Sequence, residues 1–96
     1  MNSLKDVRNS LNAQKAHLFQ KYPIKSLAIF GSYARNEQSE NSDLDLIVEF
    51  NDTIGSQFIK LGDELEDYLG FKVDLVSRRG IKERYYQSIK SDLIYV

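Results

Sequence analysis

The chain has 96 residues, 42% of them hydrophobic and 28% charged, with a net charge of −1; this is the size of one domain spanning residues 1–96 and too apolar a balance for a disordered chain. It has no cysteine, and His17 is its one histidine, which excludes disulfides, thiolate metal sites, cysteine nucleophiles and histidine pairs, so that any metal must be held by oxygen. No apolar run approaches the roughly 20 residues of a membrane span, and MNSLKDVRNS lacks the apolar centre of a secretory signal, so the sequence reads as cytoplasmic.

Leu4, Val7, Leu11, Leu18 and Tyr22 recur at helical spacings and predict an amphipathic helix that ends before Pro23. Ile24 to Phe30 is a short, nearly continuous apolar run closed by Gly31, the pattern of a buried strand. Ser32 to Asn36 fits a single helical turn, followed by a polar loop from Glu37 to Ser42. From Leu44 to Phe50 the apolar residues Leu44, Leu46, Val48 and Phe50 alternate with Asp43, Asp45, Ile47 and Glu49, which predicts a strand with its acids on one face. Phe58, Leu61, Leu65, Tyr68 and Leu69 predict a second long helix, capped by Gly70. Phe71, Val73 and Leu75 predict a third strand, Ile81, Tyr85 and Ile89 a last short helix, and Leu93 to Val96 a terminal extended piece.

Charge is unevenly spread. Residues 1–35, 36–70 and 71–96 carry net charges of +5, −9 and +3, so a uniform basic footprint for nucleic acid is absent. Solvated helix faces account for many of these charges. Asp43 and Asp45 do not fit that account well. One residue apart on a strand, they leave the same face about 6 to 7 Å apart, and their mutual repulsion would become attraction around a hard cation such as Mg²⁺ or Mn²⁺. An EF-hand is excluded, because counting from Asp43 puts Ile47, Val48 and Ile54 where a polar ligand, glycine and glutamate are required.

Gly31 and Ser32 follow the first strand where backbone N–H groups and a hydroxyl can hold phosphate, although no Walker lysine accompanies them. Asp74 is a lone acid on the third strand. Each of these features alone is an ordinary turn or an exposed polar residue. His17 reads as a surface residue, and Tyr85 and Tyr86 among Arg78, Arg79, Lys82 and Arg84 as a candidate partner surface.

Taken together, GSYAR at Gly31 to Arg35, SDLDLIV at Ser42 to Val48 and KVDLVS at Lys72 to Ser77 resemble the minimal nucleotidyltransferases (MNT) of the polymerase-beta superfamily, the antitoxins often paired with HEPN toxins. The resemblance covers nearly the whole chain, with one departure at Asn36, where the group commonly has glycine. It implies an α/β (α+β) core with a small mixed sheet and flanking helices. It also implies that Gly31 and Ser32 hold the triphosphate of ATP and that Asp43, Asp45 and Asp74 are catalytic and hold two Mg²⁺ ions; Arg35, one helical turn from Ser32, is placed either to reach phosphate or to form a surface salt bridge, and ranks below the acids. The implied activity is transfer of AMP to a tyrosine of a HEPN ribonuclease within a hetero-oligomeric complex, without direct nucleic-acid or membrane binding. The alternative is an antitoxin that occludes the toxin without catalysis.

Overall fold

A computed structural model describes residues 2–96 as α1 (Leu4–Lys21), β1 (Ile24–Phe30), α2 (Gly31–Ala34), β2 (Leu44–Phe50), α3 (Gln57–Leu69), β3 (Val73–Ser77), α4 (Glu83–Ile89), a 3-10 turn (Lys90–Asp92) and β4 (Ile94–Tyr95). The four strands form one mixed sheet in the order β3-β2-β1-β4. β1 is antiparallel to β2 and to β4, while β2 and β3 are parallel and joined by α3. No helix among the described residues is long and apolar enough to cross a membrane.

Local chemistry sets the element ends. Ser3 accepts from the Asp6 N–H while the Asp6 carboxylate accepts from the Ser3 N–H, a reciprocal cap that opens α1. Gly70 closes α3 in the left-handed conformation, its N–H donating to the Glu66 carbonyl at 2.8 Å.

The sheet is covered on both faces. On one, Val7, Leu11 and Leu18 of α1 and Leu61 and Leu65 of α3 pack on Leu27, Ile29, Leu44, Leu46 and Val48. The other carries a smaller cluster in which Ile89 of α4 packs on Ala28, Phe30 and Ile47. Coverage on both sides explains why β1 from Leu27 to Phe30 reads as a continuous apolar run rather than an alternation. It also explains Ile47, which shares the acidic face of β2 yet is buried beneath α4.

Glu64 ties α3 to the end of α1. Its carboxylate accepts from Lys21 Nζ and the Tyr22 hydroxyl, both at 2.8 Å, and pairs with His17 Nε2 at 3.0 Å. The Lys21 bond leads these contacts in holding the Glu64 carboxyl far below its ordinary range, at about 2. His17 is thereby placed at the surface, as its sequence context suggested.

The last helix differs from expectation. Counting from Ile81 puts Tyr85 on the buried stripe, but α4 begins only at Glu83 and leaves Tyr85 exposed. Tyr86 packs inward instead, with the Arg78 guanidinium 3.6 Å from its ring centroid. Ile81 lies outside the helix, so its position cannot set the helical phase.

Asn36 occupies a left-handed position, φ 58. Its N–H donates to the Tyr33 carbonyl at 3.1 Å, and the Glu37 N–H donates to the Ser32 carbonyl at 2.8 Å. This is the bonding of a Schellman cap, in which glycine is preferred and asparagine tolerated. The departure from the glycine of similar sequences therefore keeps the turn. Asn36→Ala should lower the free energy of unfolding in denaturant titration by about 1 kcal/mol, and Asn36→Gly should not lower it.

Candidate functional site

The acidic residues converge at one end of the sheet through strand register. In the parallel β2–β3 pair Asp45 stands opposite Asp74, and in the antiparallel β1–β2 pair it stands opposite Phe30, the residue before Gly31. Neighbouring strands lie about 4.8 Å apart, so the Asp45 and Asp74 side chains share one face at close range. Asp43 lies just before β2, half-buried, with Lys72 Nζ 3.9 Å from its Oδ2.

Gly31 forms the opposite wall. Its φ of 74 turns the end of β1 into α2, and a β-carbon there would overlap the Asp45 carboxylate. Two constraints, the backbone angle and the close approach, thus require glycine at this position. Ser32 follows in the first turn of α2 and is partly exposed. Arg35 ends that turn with its guanidinium committed to acids, Nε 3.0 Å from Glu37 Oε1 and Nη1 3.8 Å from Asp92 Oδ2.

Burial, then repulsion from Asp74, then a carboxyl–carboxylate hydrogen bond with it, raise the Asp45 carboxyl from 3.8 to about 6; Asp43 adds a weaker push, and Arg35 opposes all of them. Near neutrality the site therefore concentrates negative charge that Arg35, itself paired with Glu37 and Asp92, and the exposed Lys72 beside Asp43 incompletely offset. Oxygen donors in this arrangement match the preference of Mg²⁺ for carboxylates shared with substrate phosphates. As they stand, no three acidic or imidazole side chains among the described residues form a ready metal cage. The donor set fits a cation that arrives with a phosphate ligand better than one held in an all-protein cage.

The candidates read from sequence are thus gathered, with differences. Asp45 meets Asp74 on one side and Gly31 on the other, Asp43 and Ser32 stand next to them in the chain, and Arg35 is paired with neighbouring acids. Lys72 and Asp92 were not foreseen as members of this neighbourhood. Lys72 opens the third-strand motif and gave a weak local signal, whereas Asp92 is brought to Arg35 only by the packing of the chain end, which has no sequence signature.

The nucleotidyltransferase domain family matches residues 11–96. A provisionally named protein adenylyltransferase of Methanocaldococcus jannaschii is 50% identical over 98 residues, covering 100% of both chains. The protein adenylyltransferase MntA of Thermococcus cleftensis is 33% identical over 97 residues, covering 100% of this chain and 98% of its own. Among solved structures, a provisionally named minimal nucleotidyltransferase superposes with a TM-score of 0.84 at 33% identity, over 97% of this chain and 95% of that one. A toxin–antitoxin structure with AMP-PNP gives 0.72 at 26% identity, over 86% and 69% of the two chains. The tri-AMPylated HEPN toxin of Shewanella oneidensis in complex with MNT antitoxin gives 0.68 at 22% identity, over 93% and 70%, a likeness of fold.

The raised Asp45 carboxyl has a definite consequence for stability. The folded state holds that proton more tightly than the unfolded chain, so this group favours folding most below pH 4, and the benefit is lost as pH rises through about 6. Without divalent ions, Asp45→Asn should raise unfolding free energy at pH 7.5 by about 1–2 kcal/mol. It should also flatten the wild-type dependence between pH 4 and pH 6.5, measured by denaturant titration at each pH.

Proposed function

The chain belongs to the nucleotidyltransferase domain family and is a protein adenylyltransferase of the MntA kind, and from that premise we propose that it transfers AMP from ATP to a tyrosine of a HEPN-family ribonuclease and thereby silences it. The observation that carries this reading is the register that sets Asp45 against Asp74 with Gly31 closing over the Asp45 carboxylate. That geometry seats the Asp45 carboxylate where a Gly31 side chain would otherwise stand, and so brings carboxylates suited to a cation against the backbone turn that opens α2. The partner is suggested by the fold-level likeness to MNT antitoxin bound to an AMPylated HEPN toxin.

In this proposal Gly31 and Ser32 offer backbone N–H groups and the serine hydroxyl to the triphosphate. Asp43, Asp45 and Asp74 would hold Mg²⁺, with Mn²⁺ as a substitute. Bound there, the metal would supply charge neutralisation for the triphosphate and acidify the acceptor hydroxyl. Asp74, the exposed member at the sheet edge, accepts the hydroxyl proton. The tyrosine oxygen bonds to the α-phosphorus, the bond to the bridging oxygen of the leaving group breaks, and pyrophosphate departs. Arg35 contributes only if it exchanges Glu37 and Asp92 for phosphate, and it is placed second to the acids.

Asp74 lies exposed on the edge strand, open to a macromolecular acceptor that completes the pocket. Incubation of the cognate HEPN partner with this chain, Mg²⁺ and ATP should add about 329 Da per event to the partner, one AMP less water. Phenylalanine at the modified tyrosine should abolish the increment, and so should Asp43→Asn combined with Asp45→Asn. If the partner is silenced at unchanged mass, and equally by the double variant, the protein acts by occlusion.

A further inference from the structure

Strand β3 is an open edge of the sheet, hydrogen-bonded to β2 alone. Leu44 N–H donates to the Lys72 carbonyl and Arg78 N–H to the Val48 carbonyl, so the even-numbered positions turn their backbone toward β2 and the odd-numbered ones turn outward. At the ends of this outward row, Val73 N–H donates to Glu66 Oε2 and the Ser77 carbonyl accepts from Gly80 N–H, each at 2.9 Å. Leu75 lies between them, its N–H and C=O directed along the open edge.

Beside this edge runs a groove of about 230 Å³ between α3 and β3, lined by Phe58, Ile59, Asp63, Glu66, Asp74 and Leu75. Ile59 is 64% exposed there, the most exposed large apolar side chain among the described residues. The charged groups lining the groove, Asp63, Glu66 and Asp74, are all acidic, and the neighbouring Lys72 lies nearest Asp43.

We propose that the acceptor protein docks here as a basic, extended segment that adds a strand to β3 through Leu75 and seats an apolar side chain against Ile59. This inference rests on the adenylyltransferase reading above and names how its acceptor is presented. An added strand lies about 4.8 Å from β3 and keeps the sheet's two-residue alternation. The residue opposite Asp74 then projects on the face shared by Asp74 and Asp45, where a tyrosine hydroxyl meets the carboxylate that takes its proton. Charge selects the occupant. A second copy of this chain would bring Asp63, Glu66 and Asp74 against the same acids in a two-fold contact, and nucleic acid would be repelled. A basic segment is attracted, and an RNA-cleaving partner has reason to carry one.

The probe is the peptide KKVYVKK, whose valines flank the tyrosine and so face Ile59 when the tyrosine lies opposite Asp74, titrated into the full-length isotope-labelled chain with Mg²⁺ and AMP-PNP, with EEVYVEE as control. Binding of the basic peptide alone is expected, with hydrogen exchange at the Leu75 amide slowed about tenfold or more. Ile59→Lys and Asp63→Lys, both at exposed positions outside the proposed catalytic set, should each weaken binding about tenfold. Binding without Leu75 protection overturns the docking mode, as does protection by self-association or by an RNA oligonucleotide in place of the peptide. Transfer of AMP from ATP to the peptide is measured separately. Protection without transfer supports the edge and counts against the adenylylation reading, whereas transfer without protection refutes the edge alone.

Discussion

Parallel pairing of β2 with β3 fixes Asp45 beside Asp74, and two carboxylates held at the spacing of adjacent strands repel unless a proton or a cation lies between them. Below about pH 6 the proton held by Asp45 serves, and near neutrality the repulsion is left for a cation to relieve. Everything else at this end of the sheet is arranged around that pair. Gly31 gives up its side chain to make room, α2 turns sharply away, and Asp43 extends the negative charge to one side. A site built on unrelieved repulsion is thermodynamically costly in isolation, and that cost becomes binding energy once a divalent ion arrives with a nucleotide.

The rest of the fold keeps the pair from relaxing apart. β2 is central, with Leu44, Leu46 and Val48 fully buried under α1 and α3, so Asp45 cannot swing away by bending its strand. On the other face α4 clamps Ile47 next to the acids. The Glu64 bonds to Lys21 and Tyr22 lock α3 to α1, and α3 leads directly into β3 and Asp74. Asp74 itself stays exposed at the outermost strand, which makes it the carboxylate an incoming macromolecule can approach.

Much of this was legible in the sequence, for identifiable reasons. β1 matches its expected bounds because an apolar run ended by Gly31 leaves little freedom, and β2 because alternation of Leu44, Asp45 and Leu46 fixes each side chain's face. The order of motifs identified the family, which the chain's similarity to protein adenylyltransferases shows. Partner choice between distant segments was not legible. Nothing in the text of the chain says that Asp74 falls opposite Asp45 rather than two residues away, or that Asp92 approaches Arg35. The phase of α4 also escaped, because a helix of two turns offers too few apolar positions to outvote a misleading Ile81. Roles of individual side chains are a further step: the fold brings the candidates together, and chemistry must assign them.

The central claim is that the crowded carboxylates exist to receive a cation together with nucleotide. Its most direct test is calorimetric titration of the chain with ATP, first with Mg²⁺ or Mn²⁺ and then in EDTA. The account predicts measurable affinity with divalent ion and its loss, by about 100-fold or more, without it. Equal affinity under both conditions would show that ATP is held without help from the Asp45–Asp74 pair, and would contradict the account.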